Sequence, residues 1–280
     1  LFFFLQRSLI HKKPKPIVTK ELKDIGKSLT STKLRGKKIL IIFPCSAKKQ
    51  KNDIYESFKE DEERKVIDYI VNTKDYLLNS RKEIEPNSYI DKNSGLIAAL
   101  DRYNGSLYGV DSFRESVRDV YFRKDIHILI MSGAYGILTP SERIHYYRKL
   151  INAKYWKDHR LPAVIEEYIK KNKITHIYGF FARTSAYIKI MKSISWLKLK
   201  ENTSLKVART YYINFQSKGG ALRIVPETLG KLIVSFIKYN FNHNNFYTIP
   251  FNGQDVGVID HFADIKKETS TCQMGISKCV

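Results

Sequence analysis

Three short segments hold the residue types best suited to chemistry. Phe43 to Lys49 reads FPCSAKK and brings Cys45, Ser46 and Lys48 together; Met131 to Gly136 reads MSGAYG, with Ser132, Tyr135 and Gly136; a third segment supplies Arg183, Thr184 and Ser185. Hydroxyls, main chain freed by small residues, and Lys or Arg cations are the equipment for holding a phosphate or a nucleotide. Taken singly, Ser46, Ser132 and Ser185 serve as well for turns and helix caps, and it is their recurrence in three segments that points to a ligand. Lys48 is the first choice for a phosphate contact, and Gly133 and Gly136 lack the Cβ that would keep a ligand from the main chain. Cys45 is a candidate nucleophile if Lys48 or a helix N-terminus stabilises its thiolate; the alternative is a small packed thiol. No Walker A, GxGxxG, HExxH or GxSxG pattern is present, so ATP hydrolysis and dinucleotide redox chemistry have no motif support.

Each segment follows a short apolar run. Ile39 to Phe43, Ile126 to Met131 and Ile174 to Phe181 are of strand length and mostly apolar, as expected of parallel strands covered on both faces. Between them, Ser112–Arg123 and Leu161–Asn172 carry apolar residues at helical spacing, Asp53–Ser80 predicts one or two helices, Lys82–Ser94 a polar loop and Leu96–Tyr103 a further helix. Glu142 and Arg143, after Pro140, read as charges in the first turn of a helix. Tyr211–Phe215 and Ala221–Val225 flank Lys218, Gly219 and Gly220, predicting a β-hairpin, and Glu227–Tyr239 a final helix. The fold class is α/β: a mixed, largely parallel sheet flanked by helices, with a C-terminal hairpin and helix. In such sheets ligands bind beyond the carboxyl ends of the strands, where the three chemical segments fall.

The chain has 280 residues, 49 Lys or Arg against 28 Asp or Glu, and a formal charge of +21. Residues 1–38 hold eleven of the basic residues against Glu21 and Asp24, with Pro14 and Pro16 interrupting any helix, and read as a basic arm before an α/β domain at 39–240 and an irregular tail at 241–280. A second basic stretch, Lys189 to Arg209, surrounds Trp196. Basic residues interleaved with an aromatic suit DNA or a nucleotide, because cations displace counterions from phosphates and rings stack on bases; a lysine-rich solvated face is the alternative. No apolar run approaches the roughly 20 residues that cross a bilayer, so no membrane partner is expected. Apolar Leu1 to Leu5 precedes the basic residues, the reverse of a secretory signal, which predicts a cytoplasmic protein. The lack of Met at position 1 predicts that the first residues are not a native start. Cys45, Cys272 and Cys279 form no CxxC pair, which suits a reducing compartment and predicts neither a metal site nor a cofactor.

FPCSAKK (Phe43 to Lys49), RYNGSLYG (Arg102 to Gly109) and MSGAYGILTPSERIHYYRKL (Met131 to Leu150) together resemble the YaaA family, or UPF0246. The resemblance aligns Ser46, Ala47 and Lys48, then Tyr108 and Gly109 or the overlapping Tyr103 to Gly105, then Ser132, Tyr135, Gly136, Leu138, Pro140 and Tyr146. It covers residues 39–150, more weakly to 237, and departs at Glu227 to Lys231, where the family has a basic helix. It implies a compact α/β fold, DNA binding and a role in limiting oxidative damage. Among the aligned residues, Tyr108 and Tyr135 are candidates for stacking on a base. Nearby, Arg114, like Arg183, is a candidate for gripping a phosphate with both guanidinium nitrogens, and Asp111 is the candidate general base for N-glycosidic chemistry. Three functions follow as expectations: a DNA-binding protein with an anion or nucleotide pocket, an enzyme acting on a nucleobase or nucleoside, or a basic interaction module without catalysis.

Overall fold

Ile39, Ile41 and Phe43 alternate with Leu40 and Ile42 along one strand, and in a computed structural model of the chain all five side chains are buried, on opposite faces of a sheet. The structure describes residues 34, 36–51, 56–214, 221–243 and 255–263. Most of the basic arm therefore lies outside the described residues, as do residues 264–280. The strand just named, β1 (Ile39–Pro44), lies inside a six-stranded sheet. On one side it pairs in parallel with β3 (Ile126–Ser132) and on the other with β6 (His176–Ala182), which pairs in turn with parallel β7 (Val207–Asn214). The outer strands, β4 (Gly136–Leu138) beside β3 and β8 (Asp255–Asp260) beside β7, run antiparallel. A separate ladder joins β2 (Ile97–Ala98) to β5 (Arg143–Ile144).

The two faces of the sheet organise two cores. Ile39, Ile41, Phe43, Ile128, Ile130 and Phe180 pack with residues of α3 (Phe113–Tyr121) and α8 (Ala221–Lys238). Leu40, Ile42, Leu129, Met131 and Phe181 pack with α1 (Lys74–Ile84), α5 (Leu161–Lys171), α6 (Ala186–Met191) and α7 (Trp196–Asn202). Each such side chain, fully buried, contributes about 1.5–3 kcal/mol. Short α2 (Ala99–Arg102) and α4 (Ala153–Asp158) complete the helices named here. Among the described residues, no helix is long and apolar enough to cross a membrane.

The α/β class and the three buried strands agree with the sequence reading, as do α3 and α5. Elsewhere tertiary contacts override local pattern. Asp53–Ser80 holds two 3-10 turns, Glu60–Glu62 and Val66–Asp68, and its α-helix starts only at Lys74. The Glu167 carboxylate from α5 accepts the N–H groups of Val71, Asn72 and Thr73 at 2.7–3.0 Å just before that helix, a cap supplied from far along the chain. The helix then runs to Ile84, into the expected polar loop, because Leu77 and Ile84 reach the core. The predicted helix at Leu96–Tyr103 divides into β2 and α2, since Ile97 and Ala98 find partners in β5. Arg143 is accordingly in a strand, and buried Glu142 pairs with Arg81 at 2.8 Å instead of starting a helix.

The expected hairpin is a correction. Ala221 to Val225 opens α8, whose Val225, Leu229, Leu232 and Phe236 recur at helical spacing and enter the core. The antiparallel partner of β7 is β8, from the stretch read as an irregular tail. Trp196 is also corrected as a stacking platform: it is buried, with its ring 4.7 Å from His261.

Candidate ligand cleft at the carboxyl edge

The chain leaves β1 for β3 on one side of the sheet and later returns to β6 and β7 on the other. Adjacent loops at that reversal diverge, and a crevice opens beyond the strand ends. Here it is a cleft of about 560 Å³. Pro44, the last residue of β1, and Cys45 to Lys48 after it form one wall, Asn104 to Leu107 and Gly109 a second, Ala182 and Tyr187 a third, and Pro226 and Leu229 of α8 a fourth.

Of the residues singled out in the sequence, Cys45, Ser46, Lys48 and Gly109 line this cleft. Lys48 is exposed, its amide donates to Ser46 Oγ at 3.2 Å, and its carbonyl accepts from Asn104 N–H at 2.9 Å, so two walls are tied by main chain. Gly105 is needed here because a Cβ would lie 2.0 Å from Ser46 Oγ. Cys45 is partly buried, with Sγ 3.3 Å from the Tyr187 hydroxyl. Tyr108 is buried behind the wall and donates its hydroxyl to the Pro44 carbonyl at 2.9 Å.

Ser132 and Tyr135 lie behind the cleft in a hydroxyl chain. Ser132 Oγ is 2.9 Å from Tyr147 Oη, which is 2.9 Å from Tyr103 Oη; Tyr135 N–H donates to Ser132 Oγ at 3.1 Å, and the Tyr135 ring meets Tyr147 edge-on. Burial pushes the Tyr103 and Tyr147 phenols well above their ordinary range, so both stay protonated. Above them sits Lys49, its ammonium 4.0 Å from the Tyr147 ring centre and donating to the Ser46 carbonyl at 2.8 Å. Burial draws this lysine below its usual range, against the opposing influence of Cys45.

The remaining candidates lie elsewhere. Arg114 is a clamp: its guanidinium donates to the carbonyls of Tyr108 (2.6 Å) and Tyr103 (2.8 Å) and lies 3.7 Å from buried Asp101. Gly136 has φ +72° and a turn role in the β3–β4 connection, where a Cβ would meet Trp156 at 2.8 Å. Gly133 likewise faces the Lys149 carbonyl, at 2.1 Å from where its Cβ would stand. Arg183 is exposed and lies over the Tyr212 ring, Asp111 is exposed and not part of the cleft lining, and Tyr146 is held beside Asp91 and Arg148.

Sequence reasoning gave no role to Lys49, Tyr147, Asn104 or Ser106, although all four fall in the blocks it quoted. Two of these are neighbours of residues it chose: side chains alternate along extended chain, so Lys48 and Tyr146 face out while Lys49 and Tyr147 face in. It also missed Arg102, fully buried, whose guanidinium donates to the carbonyls of Gln50 (2.7 Å), Gly95 (2.9 Å) and Ile144 (3.1 Å) and so joins three segments behind the second wall.

No family model matches the chain. Among curated proteins it is similar to a UPF0246 protein of Francisella tularensis, 25% identical over 166 residues, covering 54% of this chain and 63% of that protein. A UPF0246 protein of Clostridium botulinum is 27% identical over 187 residues, covering 60% of this chain and 66% of that one. One from Francisella philomiragia is 24% identical over 160 residues, covering 52% and 61%. Each of these matches is at low identity and agrees with the resemblance carried by the sequence blocks. The chain spans somewhat less than two thirds of the length of these UPF0246 relatives. The blocks that carry the resemblance converge in space: the first two supply walls of the cleft, and the third supplies the Ser132–Tyr147 chain behind it.

Proposed function

We propose that this chain is a DNA-binding protein whose carboxyl-edge cleft takes a phosphate-bearing nucleotide, in the oxidative-stress role that the UPF0246 resemblance implies. The observation that carries the reading is the cleft itself: a volume within the usual range for small-ligand pockets, at the reversal point of a parallel sheet, with Ser46, Lys48, Asn104 and Ser106 offering hydroxyl, ammonium and amide groups. DNA as the larger partner is supported by the +21 charge and by an open groove between α4 and α6 lined by Lys149, Lys154, Lys157 and Lys189, with Asp158 paired to Lys154 at 3.1 Å. Affinity for duplex DNA should fall at least about 100-fold between about 50 and 200 mM salt, as counterion release requires, and Lys149, Lys157 and Lys189 to Ala should each flatten the salt slope by about one. Affinity independent of salt would overturn the DNA reading. Lys48→Ala should weaken binding of a nucleoside monophosphate about tenfold, the worth of a charge-assisted hydrogen bond, measured by calorimetry; unchanged affinity would remove the nucleotide from the cleft.

A second reading, turnover of a nucleobase or nucleoside, is favoured by one observation: the Cys45 thiol lines the cleft with the Tyr187 hydroxyl and the Lys49 ammonium close by. Mass analysis of modified DNA and nucleosides after incubation should then show a product that Cys45→Ala abolishes. Absence of any product leaves binding as the function.

A further inference from the structure

We infer that the opposite, amino-terminal edge of the sheet carries a second anion site, built by Lys38, Arg64 and Lys124 around His127, which takes a single phosphoryl group. The site is a cavity of about 190 Å³ at the starts of β1 and β3, walled by Tyr69, Tyr121 and Tyr168. Its size decides the class of ligand. Small-molecule pockets run to about 300–1,000 Å³, whereas this one holds a tetrahedral oxyanion and a few waters at about 30 Å³ each.

Its charge is unbalanced. Four cations line it, and the carboxylate of Asp125 beside them is held by Arg123 through two bonds of 3.0 and 2.9 Å. Lys38 Nζ donates to the Asn172 carbonyl at 3.2 Å, which leaves its charge uncompensated, and Lys124 is exposed. The Arg64 guanidinium lies 5.4 and 5.1 Å from the ring centres of Tyr121 and Phe122 and has no hydrogen-bond partner among the described residues. Its main chain is fixed at both ends: the N–H donates to Ser141 Oγ at 2.9 Å, and the carbonyl accepts from Thr139 Oγ1. A planar fork held from behind, against aromatic walls and without a carboxylate, is pre-set for an oxyanion. His127 adds the electrostatic signature of the cavity. Its Nδ1 is 3.0 Å from the Tyr168 hydroxyl, and burial, then the Lys38 and Arg64 charges, bring its pKa down to about 4. The imidazole is therefore neutral at physiological pH, and the local field favours an anion.

The site is independent of the carboxyl-edge cleft, and the test separates them. Inorganic phosphate, and an oligonucleotide with or without a 5′ phosphate, are titrated into the full chain by calorimetry. Phosphate should bind the wild type; Arg64→Leu should weaken it at least tenfold, and Arg64→Lys less. Should Arg64→Leu fail to fold, Lys124→Ala, an exposed position, should still lower affinity severalfold. Tighter binding of the 5′-phosphorylated oligonucleotide that Arg64→Leu removes would identify a nucleic-acid end as the source; binding of phosphate alone, equally Arg64-dependent, would identify the free ion. Binding of neither probe, or binding lost in Lys48→Ala and kept in Arg64→Leu, overturns the proposal.

Discussion

At the carboxyl edge of the sheet Arg102 and Arg114 serve the protein itself, holding main-chain carbonyls behind the walls, while Lys48 stands exposed on the cleft; at the amino edge Arg64, Lys38 and Lys124 converge on a small cavity beside which Asp125 is held by Arg123. The difference comes from how each edge is closed. Long loops follow the carboxyl ends and must be tied to one another before they enclose anything, so cations become internal clamps and the cleft is lined by small, polar and apolar residues with Lys48 as its cation. Strand starts are already fixed by the sheet, so basic residues there can be gathered without clamps. One edge is organised by shape and the other by charge.

The largest expected effect tests the clamp. Arg102→Met should destabilise the fold by about 3–5 kcal/mol, because each stranded buried carbonyl costs about 1–3 kcal/mol, and urea unfolding would measure it. A loss below about 1 kcal/mol would mean that the second wall stands without it.

Next comes acid. His127 and His176, both at the amino edge, have folded pKa values near 4: burial lowers both, aided by Lys38 and Arg64 at His127 and by Lys37 at His176. The unfolded chain, with histidines near 6.5, takes up protons first as pH falls, so stability is full above about 6.5 and declines toward pH 4, by up to about 3 kcal/mol for His127 and by less for His176, which is more open to solvent screening. His127→Phe should flatten part of this decline in unfolding curves taken across that range; an unchanged pH profile would deny the amino edge its electrostatic character. Tyr103 and Tyr147 at the other edge keep their protons throughout the same range.

The smallest effect is local. Gly105→Ala places a Cβ on Ser46 Oγ and should cost about 1–2 kcal/mol, since a serine side chain can turn aside, while weakening nucleotide binding in the cleft and leaving phosphate binding at Arg64 intact.

Legibility in the sequence followed the same division. β1, β3 and β6 could be read because a buried parallel strand is mostly apolar, and the carboxyl end of β1 led directly to Cys45, Ser46 and Lys48. The α1 start could not be read, because its cap is Glu167, about a hundred residues later, and the β2–β5 ladder was hidden because two-residue strands have no period. Lys49 and Tyr147 stayed hidden behind identical neighbours, Lys48 and Tyr146, since residue type carries no facing. Arg64 gave no signal at all: it sits in a charged run between two turns, and only folding brings it to Lys38 and His127.

β1 also acts as a spacer. Its six residues, at about 3.3 Å each, hold Lys38 and the loop beginning at Cys45 roughly 20 Å apart along a rod gripped by neighbours on both sides. No single phosphate can serve both ends. Inserting one residue within this rod would turn every following side chain to the other face and re-aim the Cys45 loop relative to Lys38, although the two ends share no contact.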